Sequence, residues 1–172
     1  MSKEYNALKK LTKIQSEVSS HYFIKKNGII VVMVPDLYVA WHAGKSNWKS
    51  FKTLNKYSIG IEINNPGHDH GYLKFKKRQI STLQKLLKSL IKKYMISNQN
   101  ILGHSDIAPN RKKDPGEKFP WKYLAKYRIG IWYNLPKKDA KLRYDQVTIK
   151  EKKLFYLYLE KIGYCFKFKR SG

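Results

Sequence analysis

One strongly one-sided helix constrains this chain more than any other feature. In residues 77–95, KRQISTLQKLLKSLIKKYM, apolar side chains recur every three or four positions and lysines fill the opposite side. Such a helix needs an apolar surface to cover, and the preceding segment supplies one. Residues 57–64, YSIGIEIN, alternate isoleucine with small or polar residues, which is typical of a strand with one buried face. That alternation places Glu62 on the polar face of the strand.

The rest of the pattern predicts an α/β fold. Leu8, Leu11 and Ile14 recur every third residue, which favours an amphipathic helix over 5–18. Two β-rich runs flank Asn27-Gly28, a strong signal for an antiparallel hairpin. After Trp121 the composition changes. The segment YNLPKKDAK, residues 133–141, looks like a linker, and residues 145–163 predict a last helix.

The net charge of +24 would suit a polyanionic partner, but the type of basic residue argues against specific nucleic-acid recognition. Only five of the 36 basic residues are arginine, which is the residue suited to bidentate phosphate or guanine contacts. The lysines are spread along the whole chain, as on a solvated surface. No apolar run approaches the roughly 20 residues of a membrane helix, and the N-terminus has no signal-peptide core. A lone Cys165 excludes an intramolecular disulfide and a cysteine-only metal cage.

The candidate site is the loop GHSDIAPNRKKDPGEKFPW, residues 103–121, which is too polar and kinked for a helix or strand. His104 and Asp114 are both side chains that bind zinc, and Lys112 lies two residues before Asp114. A metal-activated water needs a base and a cation beside the developing oxyanion, roles open to Glu62 and Lys112. The alternatives are a hydrogen-bonded His–Asp pair and a surface salt bridge for Glu62.

With three further blocks in the same order, this loop resembles the zinc-dependent N-acetylmuramoyl-L-alanine amidases of the AmpD/AmiD type, relatives of a phage lysozyme and of the peptidoglycan-recognition proteins. The blocks are VSSHYFIKKNGIIVVMVPD (18–36), AWHAGKSNW (40–48) and YSIGIEINN (57–65). The resemblance spans about residues 5–127. It implies a mixed central β-sheet flanked by helices, with a short C-terminal helical appendage.

The resemblance also implies site residues and a reaction. His104 and Asp114 would bind Zn²⁺, Glu62 would be the general base, and Lys112 would stabilise the tetrahedral oxyanion. The reaction would cleave the amide between N-acetylmuramic acid and L-alanine in peptidoglycan or muropeptides. Trp41 and His42 would line the substrate groove, although a packed tryptophan and a structural histidine fit those two positions equally well.

Three other histidines have no such role in the resemblance. His21 is interpreted as a hydrogen-bonded strand histidine. His68 and His70 have metal-like spacing but lie in a glycine-flanked loop, and we expect both to be exposed to solvent.

One expected element is not in the sequence given. The resemblance implies a strand with the first zinc-ligating histidine upstream of the helix at 5–18, yet no histidine precedes His21. The interpretations are a start codon set too far downstream, a split or decaying gene, or rescue by His21. We therefore expect residues 1–128 to be an amidase domain lacking its N-terminal strand, and 129–172 a partial helical appendage resembling a peptidoglycan-binding module.

Two functions remain open: a zinc amidase, or a catalytically impaired peptidoglycan-binding remnant of one. The appendage favours the cell envelope, whereas the absent signal peptide leaves the cytoplasm as the alternative. A DNA-binding role is the least favoured, because the sequence contains no recognisable nucleic-acid-binding motif.

Overall fold

The structure, a computed structural model, describes residues 3–136 and 145–165. Its helices and strands follow one another in the order helix, hairpin, hairpin, strand and four helices. They are α1 (Lys3–Thr12), β1 (Tyr22–Ile24), β2 (Ile30–Val32), β3 (Asn47–Trp48), β4 (Phe51–Lys52), β5 (Ile61–Ile63), α2 (Lys77–Tyr94), α3 (His104–Ile107), α4 (Trp121–Ala125) and α5 (Ile149–Ile162). None of these helices is both long enough and apolar enough to cross a membrane.

The main sheet is mixed and has the order β2-β1-β5. β1 and β2 form the antiparallel hairpin predicted around Asn27-Gly28, with Tyr22 opposite Val32. β1 pairs in parallel with β5, where Phe23 lies opposite Glu62. The hairpin turn also contacts α2, because the Thr82 hydroxyl donates to the Gly28 carbonyl oxygen at 2.8 Å. This mixed sheet with flanking helices confirms the predicted fold class.

The principal core lies between the sheet and α2. Its buried members come from β1, from the apolar stripe of α2, and from the end of the candidate loop and the segment after it. They are Ile24, Ile80, Leu83, Leu87, Phe119, Leu124 and Ile129. Ile129, the first residue after the predicted amidase domain, is fully buried.

A smaller cluster lies behind the candidate loop. Buried Ala43, Trp48 and Leu54 form its centre, and Leu102, Ile107 and Tyr164 pack against it. It therefore joins the β3–β4 hairpin to α3 and to Tyr164, the second residue after α5.

Several predicted boundaries need correction. The helix expected over 5–18 ends at Thr12, because Lys13 adopts an extended backbone, and Ile14, which is 82% exposed, begins a separate 3-10 turn. The candidate loop is not free of helix, since His104–Ile107 forms one turn. The helices over 77–95 and 145–163 are confirmed as α2 and α5. The predicted linker at 133–141 lies largely outside the described residues.

Candidate active site

The candidate loop is closed on itself by hydrogen bonds at both ends. The Gly103 N–H donates to the Asp106 carboxylate at 2.7 Å, which caps the single turn of α3. The Ser105 N–H donates to the Asp114 carbonyl oxygen at 2.8 Å. As a result the His104 Nδ1 and an Asp114 carboxylate oxygen lie 3.1 Å apart, although ten positions separate the two residues in sequence.

The two ring nitrogens of His104 have different neighbours. Its Nε2 lies 3.1 Å from the Ala43 carbonyl oxygen. With the hydrogen on Nε2 the ring donates to that carbonyl oxygen, and Nδ1 then presents a lone pair beside the Asp114 carboxylate, an arrangement in which both groups could bind one cation. The carbonyl at Nε2 is also the partner that orients metal-binding histidines.

Electrostatics keep Asp114 in its charged form. Burial opposes ionisation, but the hydrogen bond with His104 and the charges of His104 and Lys112 outweigh it, and the pKa of Asp114 lies below its ordinary value. Asp114 is therefore an ionised oxygen donor at neutral pH.

Glu62 is held under the opposite conditions. Its side chain lines the central cavity, which is described below, and protein surrounds it on the other sides. The resulting desolvation raises the pKa of Glu62. The charge of Asp114 raises the pKa further, while His104, Lys112 and Lys10 lower it. The pKa values of Glu62 and Asp114 are thus shifted in opposite directions. Such opposite shifts allow one carboxyl group to act as a base while the other stays charged as a donor.

A cavity of about 1790 Å³ connects these residues. Glu62, His104, Lys112 and Asp114 line it, as do Leu83 and Leu87 from the opposite side of the sheet. The cavity therefore reaches both faces of the sheet.

Within the described residues β5 is an edge strand and pairs with β1 alone. Ile101 and Gly103 also line the cavity, and both have extended backbones but belong to no strand. The chain therefore enters the site through an extended stretch that follows the short helical turn Asn98–Asn100.

Trp41 and His42 both line the cavity but differ in how they are held. Trp41 is 50% exposed. His42 uses both ring nitrogens, at 3.0 Å from the Ala40 carbonyl oxygen and 2.9 Å from the Ser58 hydroxyl. Burial and the nearby His21 lower the pKa of His42 to about 4. The two hydrogen bonds favour the structural interpretation of this histidine.

His21 is buried, and both of its ring nitrogens are hydrogen-bonded. Its Nδ1 accepts from the Gly60 N–H at 2.9 Å, and its Nε2 lies 3.0 Å from the Tyr38 carbonyl oxygen. Rescue of a metal site by His21 would break both contacts. The structure thus supports its interpretation as a strand histidine.

Sequence reasoning missed Arg111. Its guanidinium donates to the carbonyl oxygens of Ala43 at 2.5 Å and Lys45 at 2.8 Å, and its Nη2 lies 3.3 Å from His104 Nε2. The composition of the loop gives no signal for this role, because the two carbonyls lie more than 60 positions away.

Tyr72 was missed as well. Its hydroxyl donates to the Pro115 carbonyl oxygen at 2.5 Å and accepts from the Lys118 N–H at 3.1 Å. His68 is exposed as expected, yet it stacks on Tyr72 with centroids 4.4 Å apart and lies 2.9 Å from the Glu117 carboxylate. The glycine-flanked loop therefore packs against the segment that follows Asp114.

The donor set matches zinc in kind and falls one short in number. Imidazole nitrogen and carboxylate oxygen are both ordinary zinc ligands, and catalytic sites use three protein ligands. Among residues 3–136 and 145–165, no group of three or more His, Cys, Asp or Glu side chains is placed to hold a metal. The site as described supplies His104 and Asp114.

Comparison with known proteins gives a consistent family. The protein-family model for N-acetylmuramoyl-L-alanine amidases matches residues 2–117. AmiD of Escherichia coli, an N-acetylmuramoyl-L-alanine amidase, is 41% identical over 133 residues, which are 70% of this chain and 48% of that protein. AmpD of Haemophilus influenzae, a 1,6-anhydro-N-acetylmuramyl-L-alanine amidase, is 39% identical over 113 residues, 64% of this chain and 59% of that protein. The chain thus spans about half the length of these relatives.

A solved structure extends the likeness to the C-terminus. E. coli AmiD in complex with the substrate anhydro-N-acetylmuramic acid-L-Ala-D-gamma-Glu-L-Lys superposes with a TM-score of 0.82 at 34% identity. The match covers 97% of this chain and 69% of AmiD, whereas a solved AmpD derivative covers 63% of this chain.

Proposed function

The chain belongs to the N-acetylmuramoyl-L-alanine amidase family, and from that premise we propose that it hydrolyses the amide between N-acetylmuramic acid and L-alanine in peptidoglycan or muropeptides. The observation that carries the proposal is the pairing of His104 with Asp114, 3.1 Å apart, in one cavity with Glu62 and Lys112. The substrate in the AmiD complex supports the same class of substrate for this chain.

Each charged residue of the cavity has a distinct part in this reaction. Glu62, whose raised pKa makes it a stronger base than an ordinary carboxylate, takes a proton from the attacking water. The water oxygen bonds to the carbonyl carbon, and the Lys112 ammonium faces the oxygen on which negative charge develops. Glu62 then returns the proton to the leaving nitrogen as the carbon–nitrogen bond breaks. The products are a free lactyl carboxylate and the amino group of L-alanine.

We propose zinc as the cofactor, with His104 and Asp114 as its protein ligands. When bound, zinc would polarise water and the scissile carbonyl. The ionised Asp114 and the Ala43 carbonyl behind His104 keep one donor charged and the other oriented. With two protein ligands we expect weaker affinity than at a three-ligand site.

The metal is tested by titrating Zn²⁺ into chelator-treated protein and measuring heat of binding. His104→Ala is expected to abolish the signal, and His70→Ala, in the exposed loop, to leave it unchanged. Equal loss of heat in both variants would show that the signal comes from nonspecific sites and would contradict the assignment.

The activity is tested by release of stem peptide from purified muropeptides, resolved by liquid chromatography. We expect release by the wild-type chain with Zn²⁺ and a drop of at least about 100-fold for Glu62→Gln, the lower range for loss of a general base. Activity that persists in Glu62→Gln would remove Glu62 from the mechanism.

The second candidate is a peptidoglycan-binding remnant, which the two-ligand donor set favours. It predicts that the chain sediments with cell-wall sacculi and that Glu62→Ala or chelation leaves this binding unchanged. Sedimentation without peptide release would favour this candidate over the amidase.

The likeness to AmiD over nearly the full chain also supports a place of action. The match to AmiD includes the C-terminal segment. We therefore propose that this protein acts at the cell envelope, the location that its C-terminal appendage favours. Fractionation of cells that express a tagged full chain tests this against the cytoplasmic alternative.

A further inference from the structure

We propose that Tyr164 is a positioning residue for His104, so that the segment after α5 belongs to the working structure of the site. The proposal rests on the proposed function, in which His104 is a metal ligand. It assigns a role in the site to a residue 60 positions beyond His104.

The connection passes through both carboxylate oxygens of Asp106. The Tyr164 hydroxyl donates to one of them at 2.6 Å. The other accepts the Gly103 N–H at 2.7 Å, immediately before His104. Because α3 consists of four residues, it has little stability of its own, and this carboxylate supplies much of its restraint.

Tyr164 is itself held in place by the β3–β4 hairpin. The Lys49 N–H donates to the Gly163 carbonyl oxygen at 2.7 Å, and the ring of Tyr164 packs edge-on to Trp48 with centroids 5.1 Å apart. Gly163 has φ +137° and lies so close to Trp48 that an added Cβ would be 2.9 Å from that ring. The backbone can approach Trp48 this closely because residue 163 is glycine, which has no Cβ.

The same packing supports the other side of His104. Tyr164 packs against the cluster that contains Ala43, whose carbonyl oxygen lies 3.1 Å from His104 Nε2. Tyr164 therefore contributes to both restraints on His104. One is the capped turn of α3 that carries His104, and the other is the segment containing Ala43, whose carbonyl oxygen orients the His104 ring.

The attachment of the C-terminal segment is concentrated at this point. Along α5, Leu154, Phe155 and Leu157 are 45–58% exposed. Gly163 is buried, by contrast, and Tyr164 is half-buried. Among the described residues of the C-terminal segment, the attachment is therefore carried by the residues that follow α5, with Gly163 and Tyr164 against the β3–β4 hairpin.

The test uses Tyr164→Phe in the full chain, which keeps the ring against Trp48 and removes only the hydroxyl. Tyr158→Phe, which removes the hydroxyl of an exposed tyrosine in α5, is the matched control. Amide hydrogen exchange is measured across the chain, together with Zn²⁺ affinity by competition with a chelator.

We expect about tenfold faster exchange at 103–107 in Tyr164→Phe, the size of one lost hydrogen bond to a charged group. Exchange in α2 and in Tyr158→Phe should match the wild type. Zn²⁺ affinity should fall in parallel, and Asp106→Ala should reduce the additional effect of Tyr164→Phe, since both act through one contact.

The proposal is overturned if exchange at 103–107 is unchanged, or if it rises equally in α2, which would indicate general destabilisation. These outcomes are separable from failure of the proposed function. A wild-type chain that binds no Zn²⁺ would refute the metal assignment, whereas the exchange measurement decides the restraint on α3 without any metal.

Discussion

Replacement of Arg111 tests how the loop is held against the rest of the protein. Its guanidinium donates to two carbonyl oxygens, at 2.5 Å to Ala43 and at 2.8 and 3.0 Å to Lys45. It also lies flat over Gly44, whose added Cβ would be 3.0 Å from Nη2. A lysine keeps the charge but cannot span both acceptors, because its ammonium is a single point on a flexible stem.

The magnitude follows from the two acceptors. Each net hydrogen bond contributes about 0.5–1.5 kcal/mol, so we expect Arg111→Ala to lower the free energy of unfolding by about 1–3 kcal/mol. Arg111→Lys retains one contact at most, and we expect it to cost about half as much. The Ala43 carbonyl oxygen keeps His104 as a partner, so no buried acceptor is left unpaired and a larger loss is not expected.

Urea denaturation of Arg111→Lys, Arg111→Ala and the neighbouring control Lys113→Ala measures these differences. The midpoints should fall in the order Lys113→Ala, Arg111→Lys, Arg111→Ala at constant slope. If Arg111→Lys is as stable as the wild type, charge alone holds the loop and the bidentate geometry is irrelevant.

Three further predictions concern the shifted pKa values of Glu62 and His42 and the backbone conformation of Met95. Glu62 has a raised pKa, so its folded state binds the proton more tightly than the unfolded chain, and stability falls as pH rises above the ordinary value of 4.5. Glu62→Gln should therefore have the higher urea midpoint at pH 8 and lose that advantage near pH 4; Glu117→Gln, which removes a carboxyl with a lowered pKa, should lower the midpoint at pH 8. His42 has its pKa lowered to about 4, so stability should fall as pH drops from 6.5 towards 4, and a midpoint above 6 in an NMR titration of its ring would contradict this. Met95 ends α2 with φ +51° and is 91% exposed, so Met95→Gly should raise the free energy of unfolding by about 0.5–1 kcal/mol, while Met95→Ala should leave it nearly unchanged.

The elements that sequence predicted well depend on local periodicity. The apolar stripe of α2 and the alternation around Glu62 are each read within one window, and the structure has both. Ile14 continued the spacing of the first helix in sequence, yet the extended backbone of Lys13 ends that helix before Ile14. A boundary of that kind depends on the path of the next segment, which no local pattern contains.

The short apolar stretch NILG, residues 100–103, shows the same limit. Ile101 and Gly103 have extended backbones and line the central cavity, but they belong to no strand of the described chain, because strand pairing requires a neighbour at hydrogen-bonding distance. Extended backbone is therefore set by the residues themselves, whereas membership of a sheet is set by what lies beside them.

In the candidate site, the sequence predicts the donor residues but not the contacts that hold them in place. The donors, His104 and Asp114, could be named from a single polar loop because their chemistry is intrinsic to the side chains. Their separation of 3.1 Å is fixed partly from elsewhere, since Tyr72 holds the chain just after Asp114 and Tyr164 holds the turn that carries His104. Each tyrosine is more than 30 positions from the ligand it restrains, so a substitution that leaves every predicted site residue intact can still change the geometry of the pair.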